Sequence, residues 1–323
     1  MTGITPTLVH FKPRKAKIQR FRGDRQFLMC DKIITVSSEI WKNKSLREDG
    51  NMKIQYLGTA AAEGIPAIWC DCPVCRKVRM TMGKDQRSRS QAIIDDRLLV
   101  DFPQDAYWHM IQNHLAFCGI KNVIITHSHQ DHLYPDDFGM RSRGYANNIS
   151  GPVHVWGNEK VIDGVHHALE IDIPGRVEVH TVQEYVPLQI DGFTITPVLA
   201  HHDPQEKCLL YIIEKDGKRM MYGNDTGEWL PQTWDYIEQN RLHFDLVSMD
   251  CTMGNTVLYE GHMGIPNVLN TLKRLEKDNL IDGNTKKIVT HFSHNNYIFY
   301  EDMKEMLAPY GIEPTYDGMT VEF

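Results

Sequence analysis

Val123-Ile124-Ile125-Thr126-His127-Ser128-His129-Gln130-Asp131-His132 joins a short β-branched run to four candidate metal ligands within six residues. The apolar run reads as a buried strand, and directly after it the chain emerges at a sheet end, where a loop turns several side chains toward one point. Imidazole and carboxylate together suit zinc, manganese or iron, with coordination positions left for a reactant. A merely polar loop would rarely place three His and an Asp in this order.

Around this segment the apolar runs are mostly short and β-branched, with helical patterns between them. Ala92–Ile94 and Leu98–Val100 flank the polar turn Asp95-Asp96-Arg97, and Leu209–Ile213 and Met220–Tyr222 flank Lys215-Asp216-Gly217-Lys218, so both pairs read as hairpins. Met52–Gly58 reads as a first core strand running into a Gly turn; Val153–Trp156, Thr194–Leu199, Leu246–Met249 and Ile288-Val289 read as further strands. Gln104–Phe117, Glu159–Leu169 and Pro266–Lys277 suit helices. Hairpins mixed with strand-helix alternation indicate an α/β layered protein with mixed sheets. No internal repeat or low-complexity tract interrupts residues 52–323, which read as one domain.

The chain has 323 residues, 41% hydrophobic and 24% charged, so a sizeable core is affordable and disorder is excluded. Residues 1–51 hold 11 Lys and Arg against 5 Asp and Glu, whereas the remainder holds 24 against 37. The basic front is read as an N-terminal extension. It lacks an aromatic-glycine motif or a dense basic cluster, so no nucleic-acid partner is expected. No apolar stretch approaches the roughly 18 residues of a membrane span, and the opening residues lack a secretory pattern, so the expected compartment is the cytoplasm. Of seven Cys, three fall at Cys70, Cys72 and Cys75, a clustering that favours metal binding over disulfides. Cys30, Cys118, Cys208 and Cys251 read as ordinary core or surface thiols.

The H-x-H-x-D-H spacing resembles the signature of the metallo-β-lactamase superfamily. That resemblance implies an αββα sandwich of two mixed β-sheets flanked by helices. It also implies a later His after a strand, an Asp after a hairpin and a last His near the C-terminus. Ala200-His201-His202-Asp203, Gly223-Asn224-Asp225-Thr226 and Val289-Thr290-His291-Phe292 supply them. The residues alone leave His201 and His202 open; the resemblance places the ligand five positions after Pro197, at His202. Carried over residue by residue, it implies one divalent ion, Mn or Zn, on His127, His129 and His202 and a second on Asp131, His132 and His291, with Asp225 bridging both. A carboxylate has two oxygens and can span two ions, whereas each imidazole offers one free nitrogen to one.

Leu57-Gly58-Thr59-Ala60-Ala61-Ala62-Glu63 leading into Cys70-Asp71-Cys72-Pro73-Val74-Cys75 resembles the PhnP-type phosphoribosyl cyclic phosphodiesterases within that superfamily, as do Met249-Asp250-Cys251, Gly261-His262 and Tyr316-Asp317-Gly318-Met319. This branch implies a structural zinc on Cys70, Cys72, Cys75 and His294, and three soft thiolates do need one more donor to close a tetrahedral site. It further implies a catalytic role for His262 beside Asp225, homodimerisation, and hydrolysis of a small phosphodiester, such as a phosphoribosyl cyclic phosphate, by a metal-bridging hydroxide. Arg141-Ser142-Arg143 reads either as a phosphate grip or as a solvated basic turn. The sequence departs from the pattern where Gly-Thr-Gly-Gly becomes Gly58-Thr59-Ala60-Ala61 and where Asp101-Phe102-Pro103 has Pro in place of Gly. Rival readings are a tRNA-processing endonuclease, a lactonase or thioesterase of the same superfamily, and a zinc-stabilised binding protein without activity.

Overall fold

The computed structural model describes residues 50–169, 175–258 and 260–323. All but the last two residues of the basic extension, and with them Cys30, lie outside the described residues.

Two seven-stranded sheets form the centre. The first holds β1 (Lys53–Gly58), β2 (Gln91–Ile94), β3 (Leu98–Val100), β4 (Asn122–Ile124), β5 (Val153–Gly157), β6 (Val177–Thr181) and, at its other edge beside β1, β14 (Thr320–Glu322). The second runs β13 (Ile312–Pro314), β12 (Lys286–Thr290), β11 (Leu246–Asp250), β10 (Lys218–Gly223), β9 (Leu209–Lys215), β8 (Phe193–Leu199), β7 (Leu188–Ile190). Each sheet is antiparallel on one side and parallel on the other: β3 to β6 run parallel in the first, and β10 to β13 in the second. Parallel neighbours end at the same rim of their sheet, so the loops that leave them emerge side by side.

Both expected hairpins form, and their turns explain why. Asp95 and Asp96 lie at φ 49° and 59°, and Asp216 and Gly217 at φ 51° and 82°, the left-handed pair that a tight turn between twisted strands needs. A third hairpin, β7 to β8, turns at Asp191-Gly192 with φ 50° and 83°. Its Asp-Gly pair between Ile190 and Phe193 is the same kind of turn signal.

Helices α1 (Pro73–Thr81), α2 (Ala106–Gln112), α3 (Glu159–Ala168), α4 (Pro231–Gln239), α5 (Ile265–Lys277) and α6 (Tyr300–Leu307) cover the outer faces. The expected helices at 159–169 and 266–277 match α3 and α5 within one residue. The expected Gln104–Phe117 helix is shorter: α2 stops at Gln112, because His114 takes a left-handed φ of 51° that no helix can continue. The chain then makes only a single 3₁₀ turn at Phe117–Gly119.

Burial follows from strand alternation. In β9, Leu209, Tyr211 and Ile213 enter the core between the sheets, while Leu210 and Ile212 enter the layer under the helices. A strand covered on both faces must read as an unbroken apolar run, which this one does. Val161, Ile162 and Val165 of α3 cover the first sheet, and Val268, Leu272 and Leu275 of α5 the second. Among the described residues no helix is long and apolar enough to cross a membrane.

Gly58 ends β1 where a Cβ would stand 1.9 Å from the Arg89 carbonyl and 2.8 Å from the His109 ring. Gly58→Ala is therefore expected to cost about 3 kcal/mol by overpacking, whereas Gly283→Ala, which meets nothing within 4 Å, should be near neutral. Urea unfolding of the two variants checks this, and equal midpoints would contradict the close approach at Gly58.

Candidate metal centre

Four strand exits, from β4 in the first sheet and from β8, β10 and β12 in the second, deliver the candidate ligands to one rim. His127, His129, Asp131 and His132 follow β4, His202 follows β8, Asp225 follows β10 and His291 follows β12. Three residues at strand exits, Asp101, Asp225 and His291, take left-handed φ values of 65°, 57° and 64°. Non-glycine residues are held there only when surrounding structure over-determines them, and such strain concentrates at functional sites.

Side-chain donors converge in three overlapping groups that share Asp225: His127, His129, His202 and Asp225; Asp131, His132, Asp225 and His291; and Asp225, Asp250, His262 and His291. In the first, His127 Nε2 lies 3.2 Å from Asp225 Oδ2, and His202 Nε2 lies 3.2 Å from His129 Nδ1. In the second, His132 Nε2 is 3.1 Å from Asp225 Oδ2, 3.3 Å from His291 Nε2 and 3.4 Å from Asp131 Oδ2. The structure thus brings together all seven residues expected there. Of the adjacent pair it is His202 whose ring joins the group, while the His201 carbonyl accepts from Gly227 N and Gly261 N.

The outward ring nitrogens are tied down, which aims the inward ones. His132 Nδ1 meets Asp101 Oδ2 at 2.7 Å, and Asp101 Oδ1 accepts from Thr126 N. His202 Nδ1 donates to the Gly261 carbonyl at 3.0 Å, and His291 Nδ1 meets Thr252 Oγ1 at 2.7 Å. Such outer partners fix tautomer and ring direction for a metal. Asp101, Asp250 and Thr252 escaped the sequence reading as site residues. The Asp101-Phe102-Pro103 departure and Met249-Asp250-Cys251 were its only signals.

His262 joins as expected, with Nδ1 3.0 Å from Asp225 Oδ1 and 3.2 Å from Asp250 Oδ2. Asp250 also accepts from Met263 N at 2.9 Å, which holds the loop carrying His262 in place.

The donor set fits divalent cations on three counts. Buried His127 Nε2 and Asp225 Oδ1 lack a hydrogen-bond partner although other donors stand near, so these groups aim at shared points rather than at each other. Burial resists ionisation of Asp131, Asp225 and Asp250, yet the surrounding histidines hold all three carboxyls below the usual carboxylate range. The carboxylates in turn override burial to push His291 up to about 9 and His262 up to about 11. In the protein alone, protons on imidazole offset this negative charge, and divalent cations are the group that replaces them. His127, by contrast, is pushed down to about 4 by burial and by His132, which keeps a lone pair free.

A second centre lies beside the first. Cys72 Sγ and Cys70 Sγ are 3.5 and 3.8 Å from His294 Nδ1, and Cys75 completes the group. A tetrahedral ion with zinc's bond lengths sets such sulfur-to-nitrogen separations at about 3.6 Å. Burial opposes ionisation of Cys72, but Cys75 N–H, His294 and Cys70 lower its thiol to about 6; burial and the neighbouring Cys72 and Cys70 push Cys75 up to about 11. Three crowded thiols cannot all ionise without a cation. Cys208 and Cys251 are buried and Cys118 is exposed, as ordinary thiols.

The Arg141 guanidinium donates to the carbonyls of Arg176 and Gly151, which pins its own loop.

A family model described as the beta-lactamase superfamily domain matches residues 100–292. Coenzyme PQQ synthesis protein B of Acinetobacter baumannii (strain SDF) is 26% identical over 319 residues, covering 84% of this chain and 100% of that protein. Among solved structures, a diphosphatase from the PhnP family superposes with a TM-score of 0.67 at 23% identity, over 84% of this chain and 97% of that one. Zinc-bound PqqB from Methylobacterium extorquens gives 0.63 at 15% identity, over 83% and 99%. The family match spans the β4 loop, Asp225 and His291, the two sheets have the layering that family implies, and the chain belongs to the metallo-β-lactamase superfamily.

Proposed function

We propose that the protein is a metal-dependent hydrolase that cleaves a small phosphodiester, with a phosphoribosyl cyclic phosphate as the model substrate. The observation that carries this reading is a pair of four-residue donor groups sharing Asp225 in the wall of a cavity of about 380 Å³. That volume suits a small molecule rather than a folded RNA. His129, Asp131, His202, Asp225, His262 and His291 line it, and none of its lining residues is Lys or Arg. Two divalent ions, held on one side by His127, His129 and His202, on the other by Asp131, His132 and His291, and by Asp225 between, would lower the pKa of water and offset phosphoryl charge. The solved structures support the fold behind this reading, and the PhnP-family diphosphatase among them supports phosphoester chemistry.

The chain's own residues supply the rest. His262 anchors Nδ1 on Asp250 Oδ2, with Asp225 Oδ1 nearby, which leaves Nε2 to give a proton to the departing alkoxide. Asn295 also lines the cavity and brings a neutral amide donor toward phosphate oxygens, whereas the Ser293 hydroxyl donates to Glu63 Oε1 and Asn296 Nδ2 donates to the Thr252 carbonyl. Cys70, Cys72, Cys75 and His294 would hold a structural zinc, which would tie the loop after β1 to the segment after β12.

The test is a screen of the Mn- or Zn-loaded protein against cyclic and linear phosphodiesters, lactones and structured RNA. Turnover of small diesters supports the reading; turnover confined to lactones or to tRNA precursor replaces it. His262→Ala should lower kcat by about 10²- to 10⁴-fold on an alkoxide-leaving diester. It should cost far less on a nitrophenyl diester, whose leaving group needs no proton. Equal losses on both would remove the acid role.

A further inference from the structure

A third group of ligand-type side chains lies outside both centres, on the outer corner of the first sheet. Strands β5 and β6 pair in parallel with His154 opposite Glu178 and Trp156 opposite His180. Alternation puts His154, Trp156, Glu178 and His180 on the face opposite α3, since the intervening Val155 packs beneath that helix. β6 is the edge strand of its sheet.

We propose that His154 Nδ1, Glu178 Oε2 and His180 Nε2 form a further binding site for a divalent cation of the Zn²⁺, Ni²⁺ and Cu²⁺ class. The three donors form one compact group. His154 Nδ1 lies 3.0 Å from His180 Nε2 and 3.4 Å from Glu178 Oε2. Two ligands at zinc's bond lengths and a tetrahedral angle stand about 3.3 Å apart, so both separations match a shared ion. Two imidazoles with one carboxylate select borderline transition metals over Mg²⁺ or Ca²⁺.

The donors are also set in place before any ion arrives. The His180 ring stacks on Trp156 with centroids 4.0 Å apart and planes 19° from parallel, and Trp156 Nε1 donates to Asn122 Oδ1 at 3.1 Å. That stack and the paired backbone fix two of the three ligands. The His154 and Glu178 side chains are 31% and 46% exposed, so an ion can enter and complete its coordination with solvent. Burial and the neighbouring His154 hold His180 below the ordinary histidine range, which keeps its lone pair available at neutral pH. A bound ion would cross-link the edge strand to β5. None of the three residues belongs to the groups around Asp225 or the Cys cluster, so the inference stands whatever substrate the catalytic centre takes.

The experiment is calorimetric titration of Zn²⁺ into full-length protein already saturated at its tighter sites and freed of excess metal. We expect one further equivalent, with affinity at least tenfold weaker in His154→Ala and in His180→Ala and phosphodiesterase turnover unchanged. Glu178→Gln, which keeps shape and removes charge, should weaken binding by a smaller factor and guards against misfolding of the alanine variants. Ni²⁺ at the site should quench Trp156 fluorescence, and Trp156→Phe should abolish the quench while retaining uptake. Equal further uptake by the parent and by both folded His variants, or no further uptake by the parent, would overturn the site and leave a plain His-to-His hydrogen bond.

Discussion

Asp225→Asn and Asp225→Ala each lower phosphodiester turnover by about 10³-fold or more, with the fold retained. Asp225 is the one carboxylate common to both donor groups, so its loss disables both halves of the centre at once. Removing a single preorganised charge partner commonly costs 10²- to 10³-fold, and residues that act as one unit do not share that loss out additively. Folding suffers little, because Asp225 Oδ1 lacks a hydrogen bond and the buried charge is itself a burden. Asn is the cleaner variant: Asp225 has φ 57°, which Asn tolerates and Ala does not. Steady-state kinetics with metal content and thermal melting on the same preparations give the answer. An Asp225→Asn protein with two exchangeable ions and a tenth or more of parental turnover would dismiss the bridging role.

The second large effect concerns stability. Cys72→Ser should release one zinc per chain and lower the melting temperature by about 5–10 °C, a loss of a few kcal/mol for a chain of this size. Cys72 caps α1, its sulfur accepting from Cys75 N at 3.4 Å, and it sits 3.5 Å from His294 Nδ1. One ion at this point would join residues 222 positions apart, so its removal should free the loop after β1 and the segment that carries His291. His294→Ala should reproduce the effect, while Cys118→Ser, at an exposed thiol, should not. A Cys72→Ser melting curve identical to the parent's, with zinc content intact, would remove the structural site.

Much of this centre could be read along the chain because metal ligands are chemically conspicuous and come in short runs. The H-x-H-x-D-H run and the three clustered Cys declared themselves by residue type and spacing, and the resemblance to the superfamily pointed to His291. The turns at Asp95-Asp96 and Asp216-Gly217 likewise fixed two hairpins, since few residues accept positive φ. The short strands β6, β13 and β14 and the helices α1, α4 and α6 were not legible. With three to nine residues each, they are too brief to show a period and form because partners cover them. At Arg141 the residue type left two roles open, and only the fold shows its guanidinium donating to the carbonyls of Arg176 and Gly151.

The sequence by itself determined the donor inventory, its order and the layered architecture, because composition and local periodicity are properties of neighbours in the chain. Only the tertiary structure decided which donors share a point. It chose His202 over His201, closed His132 against His291 across 159 positions, and recruited Asp101, Asp250 and Thr252 to aim the rings. Those outcomes depend on strand order and on which parallel strands end at a common rim, and no local pattern encodes the distance between residues that meet only when two sheets pack.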